Sequence, residues 1–331
     1  MPLGKTLLSV TQLGLGTAPL GGLYAPVPAA QALATIERAY AAGLRFFDTA
    51  PLYGHGLAEQ RLGEVLRRHA AEAWTLATKV GRLLRAGAPP DMSQYYKGEP
   101  FFRGTPPLNP AFDFSYDGVM RSVDESLERL GLDRVDVLHI HDPDDYVDEA
   151  LTGAYRALDR LRADGTIGAV GVGTNRPEPV LRFAVEADVD CVLLAGRYTL
   201  LDQTGLAALS LCAQRRIAVI AGGVFNSGIL ARPEEGATFD YVPAGVEVLA
   251  KAQRLEAACR RHGIPLAAAA MQFPLGHPAV AAVLVGCRSA AEVDENVRLF
   301  REDIPAQFWQ ELRHDGLTAG GSPDPGRGRP R

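Results

Sequence analysis

The sequence is poor in features that would set its class at a glance. It has four cysteines (Cys191, Cys212, Cys259, Cys287), and no two form a C-x-x-C pair. That spacing argues against a zinc site or a disulfide framework and makes a reducing cytoplasm the expected setting. No apolar run approaches the ~18 residues of a membrane helix. The opening MPLGKTLLSV lacks a charged-then-apolar secretory leader. Basic residues are not in excess: 34 Lys and Arg face 39 Asp and Glu, for a net charge of −5. With a pI near 5.8, this is not the footprint of a nucleic-acid binder. Glycine is plentiful at 35 but has no Gly-X-Y period, which excludes collagen. Neither nucleic acid nor a membrane is therefore expected as a partner, and the chain is taken as a monomer or small homo-oligomer.

What is present is an ordinary globular composition, 47% hydrophobic and 22% charged over 331 residues. Short apolar runs alternate with amphipathic stretches. Strands are expected at 12–16, 45–48, 75–79, 135–141, 168–173, 191–194, 217–221 and 281–285. Helices are expected at 29–42, 58–69, 117–130, 148–164, 178–184, 204–215, 244–262 and 290–300. Gly131 is placed to end the third of these helices. Eight strands alternating with helices predict a (β/α)8 barrel in one domain over residues 1–315. The stretch Thr6–Val10 is expected to pair near the first strand and cap the barrel floor. A doubly wound sheet is the competing architecture, but Gly14-Leu15-Gly16-Thr17-Ala18-Pro19 has proline where its fingerprint needs a third glycine. Residues 81–112 form a long segment after the third strand, rich in Gly, Pro and aromatics, and loops of that length are usually functional. Residues 316–331 carry little apolar anchor and are expected to be a disordered tail.

Barrel enzymes place their chemistry at the C-terminal ends of strands. Here those ends offer Asp48, Tyr53, Lys79, His141-Asp142 and Thr174-Asn175. A phenol, an amine, a carboxylate and an imidazole together suit proton transfer at an alcohol or carbonyl oxygen. A nearby ammonium favours phenolate, so Lys79 is expected to lower the pKa of Tyr53, with Asp48 holding Lys79 and a neutral His141 orienting the substrate oxygen. Hydride must come from a cofactor, because no side chain supplies it. His139 shares a strand face with His141 and is read as an interior residue with a hydrogen-bond partner, not a metal ligand; no metal is expected. Cys287 is read as packing rather than a reactive thiol.

FDTAPLYGHGLAEQRLGEVL, ATKVG, SVDESLERLGLDRVDVLHIHDPD and VGVGTN resemble, in order and spacing, the aldo-keto reductase family. The resemblance implies a barrel that binds NAD or NADP without a Rossmann domain, and a tetrad at Asp48, Tyr53, Lys79 and His141. Thr174 and Asn175 fall where the family binds the nicotinamide carboxamide. Departures also show: Ala195 stands at the usual Gln and Gly222 at the usual stacking Tyr, leaving Phe225 to stack and Asn226, Ser227 and Gly228 near the pyrophosphate. The stretch LVGCRSAAEVDEN brings Gly286, Arg288, Glu292, Glu295 and Asn296 to the expected adenosine end. Gly286 and Glu292 replace the basic residues that suit a 2′-phosphate, so NAD is favoured over NADP. AGRYTLLDQ, GGVFNSGIL and HDPDD are similar to the aldose 1-dehydrogenase branch, which implies oxidation of an aldose at C1 to the aldonolactone. Pyridoxal oxidation and NADPH-dependent carbonyl reduction are the alternatives within that chemistry. A catalytically silent nicotinamide-binding subunit is the reading from another class. Asp142 is a candidate for binding sugar hydroxyls, and Tyr95, Tyr96 and Phe101 for touching substrate or cofactor.

Overall fold

A computed structural model describes residues 1–323 and 325. Eight parallel strands close into a barrel. In chain order they are β1 (Leu13–Gly16), β2 (Phe46–Asp48), β3 (Thr75–Val80), β4 (Val137–His141), β5 (Ala169–Thr174), β6 (Cys191–Ala195), β7 (Ala218–Gly222) and β8 (Val280–Gly286). All eight lie within two residues of their expected places. Their residues are buried almost throughout, as strands covered on both faces must be.

The helices form the outer layer. Tyr116–Leu130 shows why they start and stop where they do. Ser115 Oγ accepts from Gly118 N at 3.1 Å, and Gly131 ends the helix in the left-handed region at φ 61°. Two helices escaped the sequence reading. Leu266–Gln272 has four alanines among its seven residues and is largely buried, so it has no polar face to reveal a period. Ala306–His314 packs Phe308, Trp309 and Leu312 inward just ahead of the expected tail. No helix among the described residues is long and apolar enough to cross a membrane.

Side chains along each barrel strand alternate in and out. The inward ones change character over two to four residues. Phe46, Ala77 and Val137 belong to the apolar cluster that fills the barrel interior with Leu3 and Val10. Asp48, Lys79 and His141 follow on the same faces, toward the rim. Thr6–Val10 does help close the floor, but its bridge runs from Ser9 to Pro2 rather than to β1. His139 sits in the middle layer, fully buried. Gly171 makes room for it, since a Cβ there would come within 2.3 Å of His139 Nδ1. The partner expected for His139 is absent: neither ring nitrogen finds one among the described residues, and burial lowers its pKa to about 3.

Residues 81–112 are not an irregular loop. Arg82–Arg85 pairs antiparallel with Asn109–Phe112, and Tyr95–Tyr96 with Glu99–Pro100. A bridge from Leu23 to Phe102 ties this excursion to the segment after β1. The tail expected at 316–331 begins folded: Leu317, Thr318 and Ser322 are buried, and Ala319 N donates to Gln203 Oε1 at 3.2 Å. Residues 324 and 326–331 of that expectation lie outside the described residues.

Candidate active site

Asp48 and Lys79 end adjacent parallel strands, and both are almost fully buried. Lys79 Nζ lies 2.9 and 2.7 Å from the two Asp48 carboxylate oxygens and 2.8 Å from the Thr49 carbonyl oxygen. Three acceptors match the three protons of the ammonium. Burial raises the Asp48 carboxyl pKa, and the Lys79 charge opposes that shift. The chain then turns sharply, and Tyr53 N donates to Ala50 O at 3.1 Å. The segment after β1 presses against this turn. A Cβ on Gly21 would lie 2.6 Å from the Tyr53 backbone, so only glycine allows the approach.

Lys79 Nζ sits 4.6 Å from the Tyr53 ring centroid. His141, 5% exposed, meets that ring edge-on at 6.0 Å. Phe102 stacks on Tyr53 at the same distance. The expected lowering of the Tyr53 pKa does not hold. Burial pushes the phenol well above its ordinary value, Asp48 and Asp142 push it further, and Arg82 alone pulls down. The physical reason is first burial, which penalises the charged phenolate, and then Asp48, whose carboxylate offsets the ammonium it holds. His141 is neutral as expected: burial first, then Arg82 and Lys79, holds its pKa well below the ordinary value.

Two cavities meet at Tyr53. One, of about 470 Å³, is lined by Lys79, His141, Arg82, Asp142, Asp144 and the aromatic rings of Phe101, Phe102, Phe112, Tyr146 and Tyr241. The other, of about 390 Å³, runs from Asp48 and Tyr53 past Gly222, Phe225, Ser227 and Gly228 to Gly286, Arg288 and Glu292. Asn175 and Tyr241 line both. Among the described residues the Asn175 carboxamide has no partner, while its backbone oxygen accepts from Arg197 Nε at 2.9 Å.

The residues lining the second cavity fit a nicotinamide dinucleotide in their chemistry. The Asn175 carboxamide, which lines the same cavity as Tyr53, is a donor and acceptor that would suit the amide of a nicotinamide. Glycines along the wall let backbone come close, and the turn at Asn226 and Ser227 holds two consecutive left-handed residues (φ 44° and 59°), a shape that turns backbone N–H groups toward an anion.

Several expected contacts are otherwise engaged. Thr174 Oγ1 donates to Asp144 Oδ1 at 2.5 Å and accepts from Arg176 N, so its hydroxyl braces the rim. Asn226 lines the cavity, but its side chain accepts from Thr199 Oγ1 at 2.6 Å and donates to Gly196 O at 3.1 Å, which anchors the turn. Arg288 does not point free. Its guanidinium donates to the carbonyl oxygens of Leu23, Ala25 and Pro26, and its backbone N–H donates to Glu292 Oε2 at 2.8 Å. Glu295 lies outside the cavity in an exposed pair with Arg298, and Asn296 Nδ2 donates to buried Cys287 Sγ. Of the aromatics singled out in the excursion, Phe101 reaches the first cavity. Tyr95 lines a neighbouring cavity, and Tyr96 sits opposite Glu99 in its ribbon.

The sequence reading missed Arg82, Tyr24 and Tyr241. Arg82 follows the Lys79 motif by three residues, which was an available signal. Tyr241 comes from the short hairpin Thr238–Phe239 with Val242–Pro243, and stacks on Phe101 at 5.3 Å. Asp240 at its tip pairs with Arg197, binding the hairpin to the segment after β6.

The aldo/keto reductase family profile matches residues 12–314. A pyridoxal 4-dehydrogenase from Microbacterium luteolum is 46% identical, over 96% of this chain and 97% of its own length. A D-threo-aldose 1-dehydrogenase from a Pseudomonas species is 39% identical, over 92% of this chain and 94% of its own. Among solved structures, the holo form of a Bacillus halodurans aldo-keto reductase superposes with a TM-score of 0.73 at 23% identity, covering 97% of this chain and 96% of that one. That last likeness speaks for the fold.

Proposed function

This chain belongs to the aldo/keto reductase family of oxidoreductases, and on that premise we propose that it oxidises a small cyclic hemiacetal, an aldose at C1, to its lactone. The observation that carries the reading is the meeting of two unlike cavities at one phenol. A bound nicotinamide dinucleotide supplies the two-electron acceptor. Tyr53 Oη takes the proton of the anomeric hydroxyl as the C1–O bond becomes a carbonyl. Neutral His141 donates a hydrogen bond to the same oxygen and fixes its direction. Lys79 and Asp48 hold the floor beneath Tyr53, and Asn175 orients the carboxamide. Because burial and two carboxylates favour the neutral phenol, proton acceptance improves as pH rises.

An uncharged substrate fits the first cavity best. Arg82 already pairs with Asp91 and Asp142, so it is not free for a phosphate or carboxylate. Asp144 and Asp145 flank Arg176 at the rim, and the four carboxylates of Asp91, Asp142, Asp144 and Asp145 outnumber the three cations Lys79, Arg82 and Arg176 around this cavity. On the cofactor side, Arg288 is held by three carbonyls and Glu292 faces the cavity. That supports NAD, whose ribose hydroxyl a carboxylate can bind, over NADP. The four thiols are all unpaired and buried, in keeping with a reducing cytoplasm.

The rings of Phe101, Phe102 and Phe112 favour a second reading, an aromatic substrate such as pyridoxal. Pyridoxal also closes to a cyclic hemiacetal, so the same residues serve both. The test is absorbance of reduced nicotinamide with NAD or NADP and a panel of L-fucose, L-galactose, D-arabinose, other aldoses and pyridoxal. Reduction of NAD by an aldose, with lactone as product, supports the proposal. Turnover confined to NADPH-dependent carbonyl reduction sinks it. Cofactor binding without any turnover favours a silent subunit.

A further inference from the structure

Arg82 is 3% exposed, at the point where the excursion leaves β3. Its two terminal nitrogens reach different elements. Nη1 lies 3.0 Å from Asp91 Oδ2, and Nη2 lies 2.8 Å from Asp142 Oδ2. Its guanidinium carbon stands 4.5 Å from the centroid of the Phe112 ring. A planar fork held on two carboxylates and a ring has little freedom left.

Asp142 is the residue directly after β4. It adopts a left-handed backbone at φ 44°, and its N–H donates to Gly173 O at 2.8 Å. Its carboxylate lines the first cavity. Oδ2 accepts from Arg82 and lies 3.6 Å from His141 Nε2. Among the described residues no hydrogen bond reaches Oδ1. An ionised carboxylate accepts about four hydrogen bonds, so this one retains capacity beside the nitrogen that faces the reacting oxygen.

We infer that Asp142 accepts a hydrogen bond from the hydroxyl on the carbon next to the reacting carbon, and that Arg82 is the positioning residue that holds it there. The inference rests on the reading that places the reacting oxygen between Tyr53 and His141. An oxygen bound to His141 Nε2 lies about 3 Å from it. The Asp142 carboxylate flanks that same nitrogen, so an oxygen one carbon away falls to it. A substrate with hydrogen at that carbon leaves the carboxylate without its donor. A substrate with an anionic group there meets like charge from Asp142. The specificity is therefore for an uncharged α-hydroxy carbonyl compound or its hemiacetal.

The test compares matched substrates. An aldose and its 2-deoxy analogue are oxidised, and glycolaldehyde and acetaldehyde are reduced, by wild type and Asp142→Asn. Wild type is expected to favour the hydroxylated member of each pair by roughly 10- to 100-fold in kcat/KM. In Asp142→Asn that ratio falls to within a few-fold of one. A wild-type ratio near one overturns the inference without any variant. So does an Asp142→Asn enzyme that keeps the wild-type ratio, whatever its absolute rates. If the aldose pair is inert while the aldehyde pair shows the pattern, the aldose reading fails and the inference stands. Arg82→Lys keeps the charge but cannot bridge both carboxylates. It should raise KM for the hydroxylated member with kcat little changed. An equal fall in kcat for both members overturns the positioning role.

Discussion

The two cavities that meet at Tyr53 are built differently. The substrate side is walled by charged side chains from strand ends and the excursion: Arg82, Asp91, Asp142 and Asp144. The cofactor side is walled by glycines and backbone, among them Gly16, Gly222, Gly223, Gly228 and Gly286, with Arg288 and Glu292 at its far end. A small polar molecule has few atoms, so each must be met by a placed side chain. A long dinucleotide offers extended surface, and backbone that can approach closely is enough to follow it. Specificity for substrate should therefore respond to single side chains, and cofactor binding to shape and to charge at one end.

The largest expected effect strikes the junction itself. Tyr53→Phe should lower kcat by about 10³-fold, because it removes the proton acceptor. Cofactor affinity, read by fluorescence quenching, should change little; a large loss there would mean the two sides are not separable. Next comes the buried pair beneath them. Lys79→Met leaves Asp48 uncompensated in the interior, and should cost about 3–5 kcal/mol in urea denaturation along with activity. The double variant Asp48→Asn/Lys79→Met should recover much of that stability and none of the activity.

A smaller effect separates the directions of reaction. The phenol of Tyr53 is held above its ordinary pKa, so aldose oxidation, which needs phenolate, should climb with pH into the alkaline range. Carbonyl reduction, which needs the neutral phenol, should stay level through neutral pH and fall only in the alkaline range. His141 is already neutral, so neither profile should show a step near the ordinary histidine value of about 6.5. Such a step would contradict the burial of that ring. The smallest effect is at the far end of the cofactor side. Glu292→Lys should shift the NAD-to-NADP preference by roughly 3- to 10-fold toward NADP without altering kcat.

The same contrast decided what could be read from the sequence. All eight strands were legible because a strand buried on both faces is a short apolar run, and rim residues follow directly from where each run ends. Asp48, Lys79 and His141 were found that way. The Leu266–Gln272 helix was not, since a buried alanine run has no amphipathic period. The Tyr53 phenol was misjudged because the Asp48–Lys79 pair was foreseen while the burial of the ring, which penalises phenolate most, is a property of the fold. The sequence put Arg288 at the expected adenosine end, but only the fold shows its guanidinium held on the Leu23, Ala25 and Pro26 carbonyls, more than 250 residues away in sequence. Tyr241 was invisible for the same reason: only the fold brings its hairpin across both cavities. Side chains at strand ends announce themselves locally, whereas partners and backbone turns that close a cavity are long-range facts.

The most direct test of the central claim, that Tyr53 joins a hemiacetal carbon on one side to a nicotinamide on the other, is isotopic. An aldose carrying deuterium at C1 is incubated with the enzyme and NAD, and the reduced nicotinamide is examined by NMR. Deuterium is expected at one face of the nicotinamide C4, with a slower turnover than with the protonated sugar, both abolished in Tyr53→Phe. Reduced nicotinamide free of deuterium would contradict it, because the hydride would then have come from some other carbon.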